Sequence, residues 1–179
     1  MSELSLLWRG FDESSRRFPE RPAVSVTRDV SYKELAERAR RIAATIQLRQ
    51  SGDAGLTAVF ALRSETAYAA VLGALMAGHG YVPLNRTFPV QRTHLMLLRS
   101  KCRSVVVDEA STSQLTDVLA GIDDADWPKL QQVVVEVHDE DGRAGALSAQ
   151  LRARGFDVAG EQEAAMRGTA VRMLYARRR

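Results

Sequence analysis

Apolar residues follow two alternating rhythms along this chain: a helical spacing of three and four positions, and short continuous runs of strand length. Leu4, Leu7, Trp8 and Phe11 keep the helical spacing and predict a helix over residues 3–17, closed by Pro19 and Pro22. Ala23–Val26 and Val30–Tyr32 flank Arg28-Asp29 and predict a short hairpin. Ser31, with Glu34 three positions on, forms a capping box in which each side chain satisfies a backbone N–H of a new helix. That helix carries Leu35, Ala39, Ile42, Ala43 and Ile46 on one face, with Glu37, Arg38 and Arg41 elsewhere. A turn at Gly52-Asp53-Ala54-Gly55 leads into a buried strand over Leu56–Leu62. Ser64 caps a second helix whose predicted core face is Tyr68, Val71, Leu72, Leu75 and Met76, and Gly78 stops it. Tyr81–Leu84 is a short strand, Pro89 opens a third helix through Arg99, and Ser104–Asp108 is another strand.

Residues 109–118 are polar, with no strong turn or strand signal, and the family resemblances given below change at this stretch, which implies a junction there. Beyond it, Leu115–Leu119 predicts a short helix, and Val133-Val134-Val135 marks Leu130–His138 as a strand. Arg143–Arg154 is helical, ends at Gly155, and lets Phe156 pack back on Leu151. Phe156–Glu161 and Ala170–Ala176 then form two strands around Gly168-Thr169. The expected fold class is α/β: partial doubly wound βαβ units, then a C-terminal βαββ segment ending in an antiparallel strand pair. Two units follow, residues 1–110 and 111–179. Their strands either join in one sheet or stay as two small lobes. Hydrophobic faces of different origin favour the lobes.

Composition narrows the function classes. With 179 residues, 45% hydrophobic and 26% charged, the chain has the make-up of a soluble globular domain. Its apolar runs fall short of the ~20 residues a membrane helix needs. Met1-Ser2-Glu3-Leu4 lacks the pattern of a secretory signal, and Cys102 stands alone, so a cytoplasmic location is expected. The net charge of +3 comes from 25 basic and 22 acidic residues, well mixed. The basic block Arg177-Arg178-Arg179, with Arg167 and Arg172 upstream, predicts a frayed, solvated end. With aromatics at 6%, no nucleic-acid partner is expected, and no membrane either.

Two stretches near the front carry a family likeness: Val30-Ser31-Tyr32-Lys33-Glu34-Leu35 and Leu75-Met76-Ala77-Gly78-His79-Gly80-Tyr81-Val82-Pro83-Leu84-Asn85. They resemble the opening motifs of adenylation domains, the AMP-binding modules of nonribosomal peptide synthetases, and the likeness runs over about residues 5–108. Such domains activate a carboxylate with ATP and Mg²⁺ and pass it to a thiol. Ser31, Tyr32, Gly78 and Pro83 are scaffold in this reading, since capping and helix-stop roles account for them. The family's Thr/Ser/Gly-rich phosphate loop ending in lysine has no counterpart in the sequence, and Gly78-His79-Gly80 follows a helix rather than a strand.

Gly121-Ile122-Asp123-Asp124-Ala125-Asp126-Trp127-Pro128 and Glu136-Val137-His138-Asp139-Glu140-Asp141-Gly142-Arg143 resemble the closing third of an FkbM-type methyltransferase, over residues 115–179. That family moves a methyl group from S-adenosylmethionine onto a nucleophilic atom. The likeness makes Leu130–His138 the fifth strand of that fold, while its cofactor loop and acidic ribose ligand belong to strands with no match here.

Only Glu136 and His138 stand out as catalytic candidates. They alternate with Val135 and Val137, so both project from one face near the carboxyl end of a strand. A Glu-His pair can serve as a general base, or as two metal ligands lacking a third. Asp139, Asp141 and Gly142 fit a turn that caps the next helix. His79 and His94 are expected at the surface or in a loop. No cofactor-binding or metal residue is assigned, and no cofactor is expected to bind tightly. The expected function is that of a truncated synthetase-derived protein, related to amino-acid adenylation and methyl transfer but not competent alone. The alternative is an interaction module that pairs with another synthetase subunit, or with itself, through exposed sheet edges, and completes a site in trans. A third reading is a small-molecule binder using the Glu136 face.

Overall fold

The computed structural model describes residues 7–47, 55–139, 141–162 and 167–179. The first helix, α1 (Arg9–Arg17), starts later than its apolar spacing predicts. Leu7 precedes it and is 68% exposed, so it takes no part in the expected apolar face, and Leu4 lies outside the described residues. Phe11 does pack inward, its ring 5.6 Å from that of Tyr32. The predicted hairpin forms from β1 (Pro22–Ser25) and β2 (Asp29–Ser31). It feeds α2 (Tyr32–Gln47) through the capping box: the Ser31 N–H donates to Glu34 Oε2 at 2.9 Å, and the Glu34 N–H to Ser31 Oγ at 3.2 Å.

The remaining elements alternate in the expected way. They are β3 (Leu56–Phe60), α3 (Glu65–Met76), β4 (Gly80–Leu84), α4 (Val90–Arg99), β5 (Ser104–Val107), α5 (Thr112–Ala120), β6 (Gln132–His138), α6 (Arg143–Ala153), β7 (Phe156–Glu161) and β8 (Val171–Arg178). The turn predicted at residues 52–55 lies, except for Gly55, outside the described residues.

Among the described residues, six strands form one sheet in the order β4-β3-β5-β6-β8-β7. The first four are parallel, β8 runs antiparallel to β6, and β7 antiparallel to β8. The fold is therefore α/β, ending in an antiparallel pair. Segments 1–110 and 111–179 do not stand apart as lobes, because β5 and β6 pair directly in the sheet interior. The reason is that Val105, Val106 and Val107 lie opposite Val133, Val134 and Val135, so each face of the seam stays apolar. Alternate valines feed two cores. Val105, Val107, Val133 and Val135 pack with α4, α5 and α6 on one face. Val106 and Val134 pack with α2 and α3 on the other.

Residues 109–118, expected as a linker, are helical. Asp108 caps them: its Oδ1 accepts from the Ser111 N–H at 3.0 Å, and Leu115, Val118 and Leu119 bury against the sheet. The helix predicted over Leu115–Leu119 thus extends further toward its front, where Glu109, Ala110 and Ser113 are exposed and Ser111 is buried.

The core face of α3 also differs from the spacing. Tyr68 is 44% exposed, and the buried stripe is Thr66, Ala69, Ala70, Gly73 and Ala74. Small residues let α3 lie close against α2, and a side chain on Gly73 would meet the Ala39 carbonyl oxygen and Ile42 Cβ at 2.9 Å. Gly73→Ala is accordingly expected to destabilise the fold by roughly 1–3 kcal/mol through overpacking, despite the better helix propensity of alanine. Urea unfolding would check this, since a gain in stability would mean the helices part freely.

The basic C-terminus is held rather than frayed. Arg178 donates from Nε to the Leu130 carbonyl at 3.0 Å, from Nη1 to Arg154 at 3.0 Å and from Nη2 to Trp127 at 2.6 Å. Its guanidinium lies 4.5 Å from the centroid of the Phe156 ring.

Candidate functional site

The carboxyl ends of the parallel strands gather the polar residues of interest. Hydrophobic alternation along β6 sends Val135 and Val137 to the α5–α6 face and Glu136 to the opposite face, beneath α2 and α3. There Glu136 Oε2 accepts from Thr66 Oγ1 at 2.7 Å, and Thr66 in turn is reached by Arg38 Nη1 at 3.4 Å. Arg38 pairs with Glu65 at 3.3 Å, Glu65 with Arg28 at 3.0 Å, and Arg28 with Glu34 at 3.2 Å. A chain of polar groups thus runs from the exposed hairpin into the sheet.

Burial pushes the Glu136 carboxyl above the usual carboxylate range. Thr66, the Arg38 charge and a backbone N–H at Glu109 oppose that shift, and the Asp108 charge adds to it. Glu34 goes the other way. Burial raises it, but the Ser31 backbone N–H, the Arg28 charge and the Ser31 hydroxyl together hold it below its ordinary value.

His138 has a different setting at the end of β6. It helps line a cleft of about 620 Å³ between α5 and α6, floored by Val137 and Leu147, with Arg86 and Arg143 at its rim. The two candidates are neighbours on one strand but serve different surroundings. Glu136 is sealed in the α2–α3 layer, and His138 sits at the cleft. Glu136, the centre of the third sequence reading, is 9% exposed, and its Oε2 is engaged by Thr66.

Donors for a bound nucleotide can be audited in the same way. Phosphate needs free backbone N–H groups converging on one point. Gly78 N–H donates to the Leu75 carbonyl at 3.1 Å, His79 N–H to Ala74 at 2.9 Å, and Gly80 N–H to Gly55 at 3.1 Å. All three are committed, so this glycine pair does not fit a triphosphate. An acidic residue at a strand end could hold a ribose. Asp108 accepts from the N–H groups of Leu62 at 2.8 Å and Ser111 at 3.0 Å, so it already has partners on both oxygens. Among the described residues no group of three or more His, Cys, Asp or Glu side chains is placed to hold a metal ion.

Three placements bear on the sequence expectation. His79 does lie in a loop, between α3 and β4, but is only 4% exposed, its Nδ1 2.9 Å from Thr57 Oγ1, and burial beside Arg103 lowers its pKa. His94 is half-buried, with Nε2 lacking a hydrogen-bond partner. Arg38 is not on the outer face of α2 but 5% exposed. It sits three residues after Leu35 and four before Ile42, a spacing that does place it on the core face. The Arg86–Arg143 cleft had no such signal, because its residues come from the loop after β4, the 109–111 turn, α5, β6 and α6.

A family model described as "AMP-binding enzyme" matches residues 11–168. The methyltransferase FkbM of Streptomyces tacrolimicus, described as a 31-O-demethyl-FK506 methyltransferase, is 52% identical over 61 residues, covering 34% of this chain and 24% of that protein. Surfactin synthase subunit 1 of Bacillus subtilis is 30% identical over 145 residues, covering 80% of this chain and 4% of the synthase. The crystal structure of IdnL7 matches with a TM-score of 0.58 at 34% identity, over 64% of this chain and 23% of that one. The chain thus spans a quarter or less of the length of each. No helix among the described residues is long and apolar enough to cross a membrane.

Proposed function

The chain belongs to the AMP-binding enzyme family, as an adenylation-related synthetase segment joined to a methyltransferase-like part, and we propose that these 179 residues alone perform neither parent's reaction. The observation that carries this reading is the commitment of backbone donors. Every N–H of Gly78-His79-Gly80 already bonds a carbonyl, Ser31 and Glu34 cap α2, and Tyr81–Leu84 form strand β4. Differential stabilisation of a reacting phosphate requires donors aimed at the developing charge. Donors spent on the scaffold are not available for it.

A second reading is favoured by the sheet itself. Its outer strands, β4 and β7, have one partner each, and β4 presents Tyr81 at 45% exposure. Unpaired strand edges are templates for another chain. In this reading the segment docks on a further synthetase subunit, and a site is completed in trans.

One experiment separates the two. ATP–pyrophosphate exchange is measured for the purified chain with each standard amino acid, then again after adding synthetase subunits encoded beside it. The chain alone is expected to show no exchange above a heat-killed control. Clear exchange by the chain alone would defeat the first reading, and exchange that needs both polypeptides would establish the second.

A further inference from the structure

We propose that the cleft between α5 and α6 binds a small organic anion, with its oxyanion group between Arg86 and Arg143 and its apolar body over Val137 and Leu147. The inference is independent of the adenylation reading, because the cleft uses none of the adenylation-motif residues, while Val137, His138 and Arg143 belong to the methyltransferase-like motif.

Its volume, about 620 Å³, is that of an ordinary small-molecule site. The floor is apolar, and Ser113 and Thr116 add hydroxyls along the α5 wall. Both arginines are held loosely enough to serve a ligand. Arg86 donates from Nη1 to the Ala110 carbonyl at 3.0 Å, which fixes the guanidinium at the rim and uses one of its five N–H donors. Arg143 pairs with Asp141 at 3.2 Å, but that pair is 63% and 71% exposed, the kind of surface ion pair a better acceptor displaces. Glu109 also lines the cleft, so the charged lining sums to one positive charge from two arginines and one glutamate. A ligand bearing a single oxyanion head fits that sum. A planar guanidinium fork binds carboxylate and phosphate in the same two-pronged way, so both heads share this chemistry.

The test is isothermal titration of the intact chain with benzoate, phenyl phosphate and benzamide. Benzoate or phenyl phosphate is expected to bind saturably, and benzamide, with the same ring and no charge, about tenfold or more weaker. Whichever anion binds more tightly identifies the head group. Arg86→Gln with Arg143→Gln is expected to weaken the better anion by at least about tenfold while leaving the urea midpoint unchanged. Ser113→Asp offers a second variant, because an acidic residue suits the first turn of a helix yet places repulsive charge at the cleft. It too is expected to weaken the anion. Equal binding of benzamide, inorganic phosphate binding as tightly as the ring-bearing anions, or binding unmoved in both variants would overturn the proposal. So would the lack of saturable binding up to ~10 mM, about −2.7 kcal/mol.

Discussion

Arg38→Met is expected to lower the unfolding free energy by roughly 3–5 kcal/mol, the range seen when one partner of a buried ion pair is removed. Arg38 is 5% exposed and stands between two acidic groups, Glu65 at 3.3 Å and Glu136 through Thr66. Methionine fills a similar volume, so the loss comes from charge rather than from a cavity. Urea unfolding at neutral pH measures it, and a change below about 1 kcal/mol would mean the polar chain contributes little.

The same groups set a pH dependence whose sign can be worked out. The folded Glu136 carboxyl titrates above the ordinary glutamate value of 4.5, so the native state holds that proton more firmly than the unfolded chain does. Its contribution is complete below pH 4.5 and is lost as pH rises through the folded pKa. Arg38 and Asp108 are the charges that act on it, with Glu65 on the far side of Arg38. Glu34 does the opposite: held below 4.5, it supports the fold above that pH and lets go as pH falls through its folded value. In Glu136→Gln the decline above pH 4.5 is expected to flatten while the acid limb remains. An unchanged upper limb would show that Glu136 ionises as easily in the fold as outside it.

Phe156→Ala is the second large effect, expected at about 3–5 kcal/mol from lost burial and the cavity left behind. Phe156 is fully buried at the start of β7. The Trp127 ring meets it edge-on, with centroids 6.3 Å apart at 74°, and the Arg178 guanidinium covers it. Truncation removes the surface on which Arg178 rests while that residue holds three backbone carbonyls, so β7 and β8 are expected to lose amide protection first. Thermal unfolding with hydrogen exchange would read both. Protection lost first from α2 or α3 would contradict this account.

Much of the frame was legible because it depends on local pattern. The Ser31–Glu34 box, the Ser64 cap and the valine runs of β5 and β6 each rest on a few neighbouring residues whose chemistry leaves little choice. The misplacements share one cause, which is that tertiary partners decided them. The α3 core face went to small residues because α2 lies against it, so the large side chains at Tyr68 and Leu72 were pushed outward or to the margin. Arg38 was placed off the apolar face by its charge, though its spacing pointed inward and Glu65 waited there to pair with it. Polar residues 109–114 masked only the front of a helix whose Leu115–Leu119 part was legible. At the candidate site, strand alternation correctly gave Glu136 and His138 a common strand end. It could not show that α2 and α3 seal one while the α5–α6 cleft receives the other.

The pairing of β5 with β6 asks little of the particular side chains along it. Its rungs, from Ser104 with Gln132 to Val107 with Val135, are formed by main-chain amides, which every residue but proline supplies alike. A replacement strand that keeps the length and aliphatic rhythm of either partner is expected to satisfy the same rungs. The peptide backbone acts here as a universal fastener between stretches of different sequence likeness.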